Sequence, residues 1–271
     1  MSGVLALAKA EFCIALRNRW VAIAAGLMAL FALVLSAAGA APSGGLGADR
    51  LSITVASLTS LAVYLVPLLA LLMSFDAVAG EVERGTLPLL LSYPIGRGAI
   101  LLGKLAAHLA VLALALTAGY GLALIAALAI DSNALEGLPA LFRLGWTSLM
   151  LGATFLCAGY ALSARARRPS SAAGLAIGLW LGLVVLYDLG LLAAVVADDG
   201  GAFTVQGFPV ALLANPADAF RLFNLSMAQA AGAGVGGAAG AIAPWKALIS
   251  ILFWPVLAFG IATRNFKKVT V

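Results

Sequence analysis

The sequence predicts an all-α, polytopic membrane protein with six transmembrane helices and both termini in the cytoplasm. Of its 271 residues, 63% are hydrophobic and only 10% are charged, against roughly 25% charged in an ordinary soluble domain. Several apolar runs reach the roughly 20 residues that a helix needs to cross about 30 Å of hydrocarbon. The Lys and Arg residues also fall unevenly on the two sides that these runs define. A water-soluble chain of this length could not cover so much apolar surface, whereas lipid requires that surface to be apolar.

The expected spans are 20–38, 53–75, 105–130, 144–164, 171–197 and 247–263. Asp, Glu, Lys and Arg are absent from the first four, and the fifth holds a single acid, Asp188. With a cytoplasmic N-terminus, Lys9, Arg17, Arg19, Arg84, Arg97, Lys104, Arg165, Arg167, Arg168, Arg264, Lys267 and Lys268 lie inside. Arg50, Arg143, Arg221 and Lys246 lie outside, so the positive-inside rule sets the orientation. This distribution also accounts for the pI of about 9.5, and nucleic acid is not an expected partner. The stretch 222–245 is free of charge too. Its glycines at 232, 234, 236, 237 and 240 make a poor helix, and counting it as a span would move the C-terminal Lys and Arg outside. It reads as part of an external segment, 198–245. The first span is expected to remain as a helix, without a cleavable leader.

Before the first span, Leu5, Phe12, Leu16 and Trp20 fall near one helical face, with Lys9 and Arg17 elsewhere. That pattern suits an interfacial helix on the cytoplasmic membrane surface, or equally an extension of the first span. In the fifth span Gly174, Gly178 and Gly182 recur every four residues. Small residues at that spacing let membrane helices approach closely, either within one subunit or between two copies. Asp188 lies in the outer half of the same span, where it lines a cavity or is hydrogen-bonded to a neighbouring helix.

The cytoplasmic loop 75–104 reads FDAVAGEVERGTLPLLLSYPIGRGAILLGK. Asp76, Glu81 and Glu83 cluster near Arg84, Gly85 breaks the segment, an apolar run follows, and Pro94 and Gly96 turn the chain. A short charged helix backed by an amphipathic stretch fits this pattern, and a plain helical hairpin with solvated charges fits it as well. The order Glu81, Glu83-Arg84-Gly85-Thr86-Leu87, Leu90-Leu91-Ser92, Pro94, Arg97 and Gly103-Lys104 resembles the signature of ABC-2-type permeases. The resemblance implies a coupling segment over 76–98, with Asp76, Glu81, Glu83, Arg84, Gly85 and Thr86 seated against a cytoplasmic ATPase dimer. It also implies a second copy of this chain, and ATP with Mg held by the ATPase.

A second, narrower resemblance lies at LLANPADAFRL, residues 212–222. Asn215 suits a helix N-cap, Pro216 the first helical position and Asp218 the positive end of the helix dipole. Asn-Pro-x-Asp-x-x-Arg is also similar to the stretch found in permeases of the transporter that matures nitrous-oxide reductase, a periplasmic copper enzyme. That resemblance implies copper-site assembly in the periplasm, a β-helical accessory partner touching Asn215, Pro216, Asp218 and Arg221, and a place in the bacterial inner membrane. A generic ABC-2 exporter of lipid, glycan or drug is the alternative.

Other chemistries are not expected. Gly98–Lys104 imitates a phosphate-binding loop, but Leu105 stands where Ser or Thr would hold magnesium, and no strand precedes it. The chain is therefore expected not to be an enzyme and to bind no cofactor of its own. His108 is the only histidine, Cys13 and Cys157 are isolated, and the methionines are scattered, so no metal-ligand set is expected. His108 and Asp188 fall in opposite halves of the membrane and cannot form a catalytic pair. The spans also lack the polar rings that a passive channel requires.

Overall fold

The computed structural model describes residues 2–17, 50–130, 132–230 and 242–270, with isolated residues between 22 and 34. The expected first span, 20–38, lies largely outside the described residues, as does the glycine-rich stretch 231–241. Among the described residues all regular secondary structure is helical, and five helices are long and apolar enough to cross a membrane: Thr54–Glu83, Arg97–Leu128, Ala134–Ser163, Pro169–Asp198 and Pro244–Lys267. The fold is that of an all-α polytopic membrane protein.

In chain order the helices are α1 (Ser2–Leu16), α2 (Arg50–Ser74), α3 (Ala79–Glu83), α4 (Leu87–Ser92), α5 (Arg97–Leu128) and α6 (Leu138–Ser163). Then come α7 (Pro169–Trp180), a π-helical turn Leu181–Leu186 continuing into α8 (Tyr187–Asp198), α9 (Phe208–Ala214), α10 (Pro216–Ala230) and α11 (Pro244–Lys267). Proline at the first position starts α7, α10 and α11, where its missing N–H would be unpaired anyway. Pro67 and Pro255 stand inside α2 and α11 and each remove one rung of the helical ladder.

Helix α6 is the centre of the bundle, packed against α2, α5, α10 and α11. Its glycines explain the close approach. A Cβ added at Gly152 would overlap the side chain of Leu112, and one at Gly159 would overlap Ser74. Hydrogen bonds between side chains cross the apolar interfaces: Tyr120 with Ser148 at 2.9 Å, His108 Nδ1 with the Tyr160 hydroxyl at 2.7 Å, and Asn224 to Thr147 at 3.0 Å. Such bonds add modestly to membrane-helix association, which has no hydrophobic drive of its own.

The continuous span 169–198 lies at the rim, with almost none of it buried within the chain. Gly174 and Gly178 are exposed and Gly182 partly so, and among the described residues nothing would meet a Cβ at any of the three. The small-residue packing within the described bundle is made by Gly152 and Gly159 instead.

Residues 198–230 do not form a simple external segment. The Asn215 side-chain amide donates to the carbonyl of Leu183 at 2.6 Å, and Leu183 sits midway along the 169–198 span, about 22 Å from its outer end at the usual helical rise. Helices α9 and α10 therefore form a re-entrant hairpin with its apex at Asn215. The backbone carbonyls of α9 find side-chain donors on the surrounding spans, Tyr187 to Ala211 at 2.9 Å and Ser250 to Leu213 at 2.7 Å. Non-spanning backbone is tolerated at such depth only where it is satisfied inside protein, which is the case here.

Candidate functional site

At one end of the bundle a compact platform carries the loop between α2 and α5. Val78 and Ala79 N–H both donate to the Ser163 hydroxyl, at 3.0 and 2.9 Å. Two of the unpaired donors that open α3 are thus met by a residue ending α6. Helix α3 closes on Gly85 at φ +67°, with Gly85 N–H on Val82 O and Thr86 N–H on Glu81 O. This pair of bonds is the Schellman arrangement, and a left-handed residue there is why glycine stands at that position. Arg97 Nη1 donates to the carbonyls of Phe266 and Val269, each at 2.7 Å, and its guanidinium lies over the Phe266 ring. Asn265 donates to Ala161 O at 3.0 Å, so the C-terminal end of α11 belongs to the same platform.

The outward surface of this platform is Val82, Glu83, Arg84, Gly85 and Thr86, continued by Pro88, Leu89, Ser92 and Tyr93, all exposed. Val82, Leu89 and Tyr93 are 42, 68 and 62% exposed. An apolar ridge edged by charge suits docking of a soluble protein better than solvation. Of the six coupling residues read from the sequence, Glu83, Arg84, Gly85 and Thr86 lie on this ridge. Asp76 and Glu81 do not. They turn inward to line a cavity of about 290 Å³ shared with Glu11, Arg84, Lys104 and His108. Lys104 Nζ donates to Glu81 at 2.8 Å and to Glu11 at 2.5 Å, with its side chain only 4% exposed. The parts played by Glu11 and Ser163 carried no signal that reading along the loop could have found, since both are remote from it in the chain.

Helix α1 packs on α5, to which it presents Leu7 and Glu11, while Phe12 is partly buried and Leu5 and Leu16 are 67 and 47% exposed. Leu5 and Leu16 belong to the face read as lying on the membrane, and their exposure outside the bundle leaves them free to meet lipid; Trp20 of the same face lies outside the described residues. Gly103 allows the approach, since a Cβ there would press on Leu7.

The second polar constellation lies in the hairpin. Asn215 Oδ1 accepts from Ala217 N–H at 2.9 Å, which is the N-cap expected from the sequence, and Asp218 lies in the first turn of α10. Arg221 donates to Asp188 at 2.8 Å and reaches Asp218 at 3.5 Å. Asp188 is thus both partnered and on the wall of a cavity of about 430 Å³ lined also by Tyr64 and Arg221. Asn215 and Asp218 are 1 and 2% exposed. The sequence expectation placed them on a periplasmic contact surface; burial inside the bundle puts both out of direct reach of a soluble partner, and only Arg221 retains partial exposure. Among the described residues no group of three or more His, Cys, Asp or Glu is placed to hold a metal ion. Cys13 is exposed and Cys157 buried, and neither is paired.

Five described apolar spans, a platform with an exposed turn at one end and a polar hairpin at membrane depth define a multi-pass membrane protein. The sequence profile described as ABC-2 family transporter protein matches residues 5–271, and the chain belongs to that family. It is 48% identical over 236 residues to a protein named probable ABC transporter permease protein NosY from Pseudomonas aeruginosa, covering 86% of both chains. It is also 45% identical over 238 residues to a protein of the same name from Stutzerimonas stutzeri, covering 87% of this chain and 86% of that one. This chain is thus an ABC transporter permease, a class that works with ATPase subunits and generally as dimers.

Proposed function

We propose that this permease couples ATP hydrolysis on a cytoplasmic ATPase dimer to copper-site assembly of nitrous-oxide reductase in the periplasm. It sits in the bacterial inner membrane as two copies, with ATP and Mg held by the ATPase and a β-helical accessory protein on the far side. The observation that carries the reading is the connection made by α6. Ser163 at one end of that helix holds the start of α3, and Thr147, about 24 Å away at helical rise, is bonded to Asn224 of the hairpin. A single rigid rod therefore touches both the docking turn and the re-entrant hairpin, which suits mechanical transmission as well as transport. The particular maturation role rests on Asn215-Pro216-x-Asp218-x-x-Arg221 and on the similarity to the two NosY-named proteins.

The test is to solubilise the tagged chain from its native host in mild detergent and identify co-purifying proteins by mass spectrometry. An ATPase together with a periplasmic repeat protein is the expected result. An ATPase accompanied only by lipid- or glycan-handling proteins would move the assignment to an exporter, and absence of any ATPase would overturn the coupling itself.

A further inference from the structure

We infer that Lys104 is a positioning residue that passes movement of the coupling turn to the N-terminal helix, so that α1 shifts with the state of the ATPase. The inference rests on the reading of 79–93 as the ATPase-docking surface. Lys104 stands on α5 with its ammonium removed from water, and it is neutralised from two directions. Glu11 comes from α1 and Glu81 from α3; the main packing partner of α1 is α5, and Gly3 at its start lies beside Ile95. Three elements thus meet at one cation. Glu81 is also held by the coupling turn itself, because its second carboxylate oxygen accepts from the Thr86 hydroxyl at 3.0 Å.

A buried ammonium cannot be left without a counter-charge at low cost, so Lys104 follows its carboxylates. When the turn is pulled outward, Glu81 moves with it, and Lys104 either follows Glu81 or transfers its hydrogen bonding to Glu11. Either response changes the pull on α1. The adjoining cavity of about 290 Å³ leaves room for that exchange, and His108, one helical turn further along α5, borders the same space. In α1 the exposed Leu5 and Leu16 flank the packed face, so a tilt of this helix would change how it lies against lipid.

Hydrogen–deuterium exchange on the complex of this chain with its ATPase in lipid nanodiscs, with and without ATP and Mg, tests the link. In the wild type, nucleotide is expected to change protection in both 79–92 and 2–16. In Lys104→Met and in Glu11→Gln the change at 79–92 is expected to persist while that at 2–16 is lost, and Lys104→Arg is expected to restore it. Unchanged protection of 138–163 in the nucleotide-free variants establishes that the bundle is folded; should Lys104→Met lose it, Glu11→Gln carries the test alone. A nucleotide response at 2–16 that survives in a folded variant overturns the role of Lys104. No response at 79–92 in the wild type would instead remove the docking surface on which the inference stands.

Discussion

The side-chain amide of Asn215 joins the apex of the re-entrant hairpin to the carbonyl of Leu183 in the π-helical turn of the neighbouring span. A π-helical turn alters the backbone ladder, and a carbonyl there that also meets a side-chain donor keeps the distortion satisfied inside the membrane. Asn215 simultaneously caps α10 through its other amide atom. One side chain therefore sets both the depth and the start of the hairpin's second arm.

Asn215→Ala removes both bonds. Loss of an N-cap costs about 1 kcal/mol, and the hydrogen bond to Leu183 adds a further roughly 1 kcal/mol. Asn215→Asp keeps the cap and loses the donor, and it brings a carboxylate against a carbonyl. Thermal unfolding of the detergent-solubilised protein is expected to fall for both variants, and an unchanged midpoint in Asn215→Ala would count against the hairpin geometry.

Arg221 pairs with two acids, Asp188 and Asp218. Arg221→Ala leaves those acids facing each other in a poorly solvated place, at a cost near the low end of about 3–5 kcal/mol because the pair is partly exposed. The double variant Asp188→Asn/Arg221→Gln lowers the uncompensated charge and is expected to be more stable than Arg221→Ala. The ranking of their melting temperatures checks this.

On the platform, Leu89→Asp and Tyr93→Asp place charge on the apolar ridge without touching the bundle. Central apolar anchors of interfaces contribute about 2 kcal/mol or more each. Co-purification with the ATPase is expected to drop by more than tenfold, while the amount of inserted permease stays at the wild-type level.

The turn itself can be tested at Gly85. A Cβ in the left-handed conformation costs about 1–2 kcal/mol, so Gly85→Val is expected to disturb the ridge and reduce ATPase coupling. Glu81→Arg is expected to abolish coupling in an inserted protein by a different route, setting a second cation against Lys104. Nucleotide-hydrolysis rates of the reconstituted complexes separate these variants from wild type; full coupling in Glu81→Arg would place the coupling turn elsewhere.

Gly178 faces open space among the described residues. Gly178→Trp is therefore expected to leave the folded chain intact and to weaken association of two copies, read as particle mass in detergent. An unchanged mass assigns this face to lipid.

Composition and charge placement in the sequence determine a multi-pass helical membrane protein and its orientation by the positive-inside rule, because hydrocarbon tolerates only long apolar helices and Lys and Arg are unevenly retained. Local rules were equally legible where they act within a few residues: Asn215 caps α10, Pro216 opens it, and Gly85 ends α3. Tertiary structure alone decided which faces those elements show. Glu81 and Asp76 share a loop with the exposed Glu83, yet they turn inward because Lys104, Glu11 and the adjoining cavity lie beneath them. The glycine spacing at Gly174, Gly178 and Gly182 marked a small-residue face, while the tight contacts within the bundle formed at Gly152 and Gly159. The Asp188–Arg221 pair joins residues 33 positions apart and ties the segment after the fifth span back to that span. Periodicity describes what one helix can present; only packing against the others settles whether a partner, lipid or the chain itself receives it.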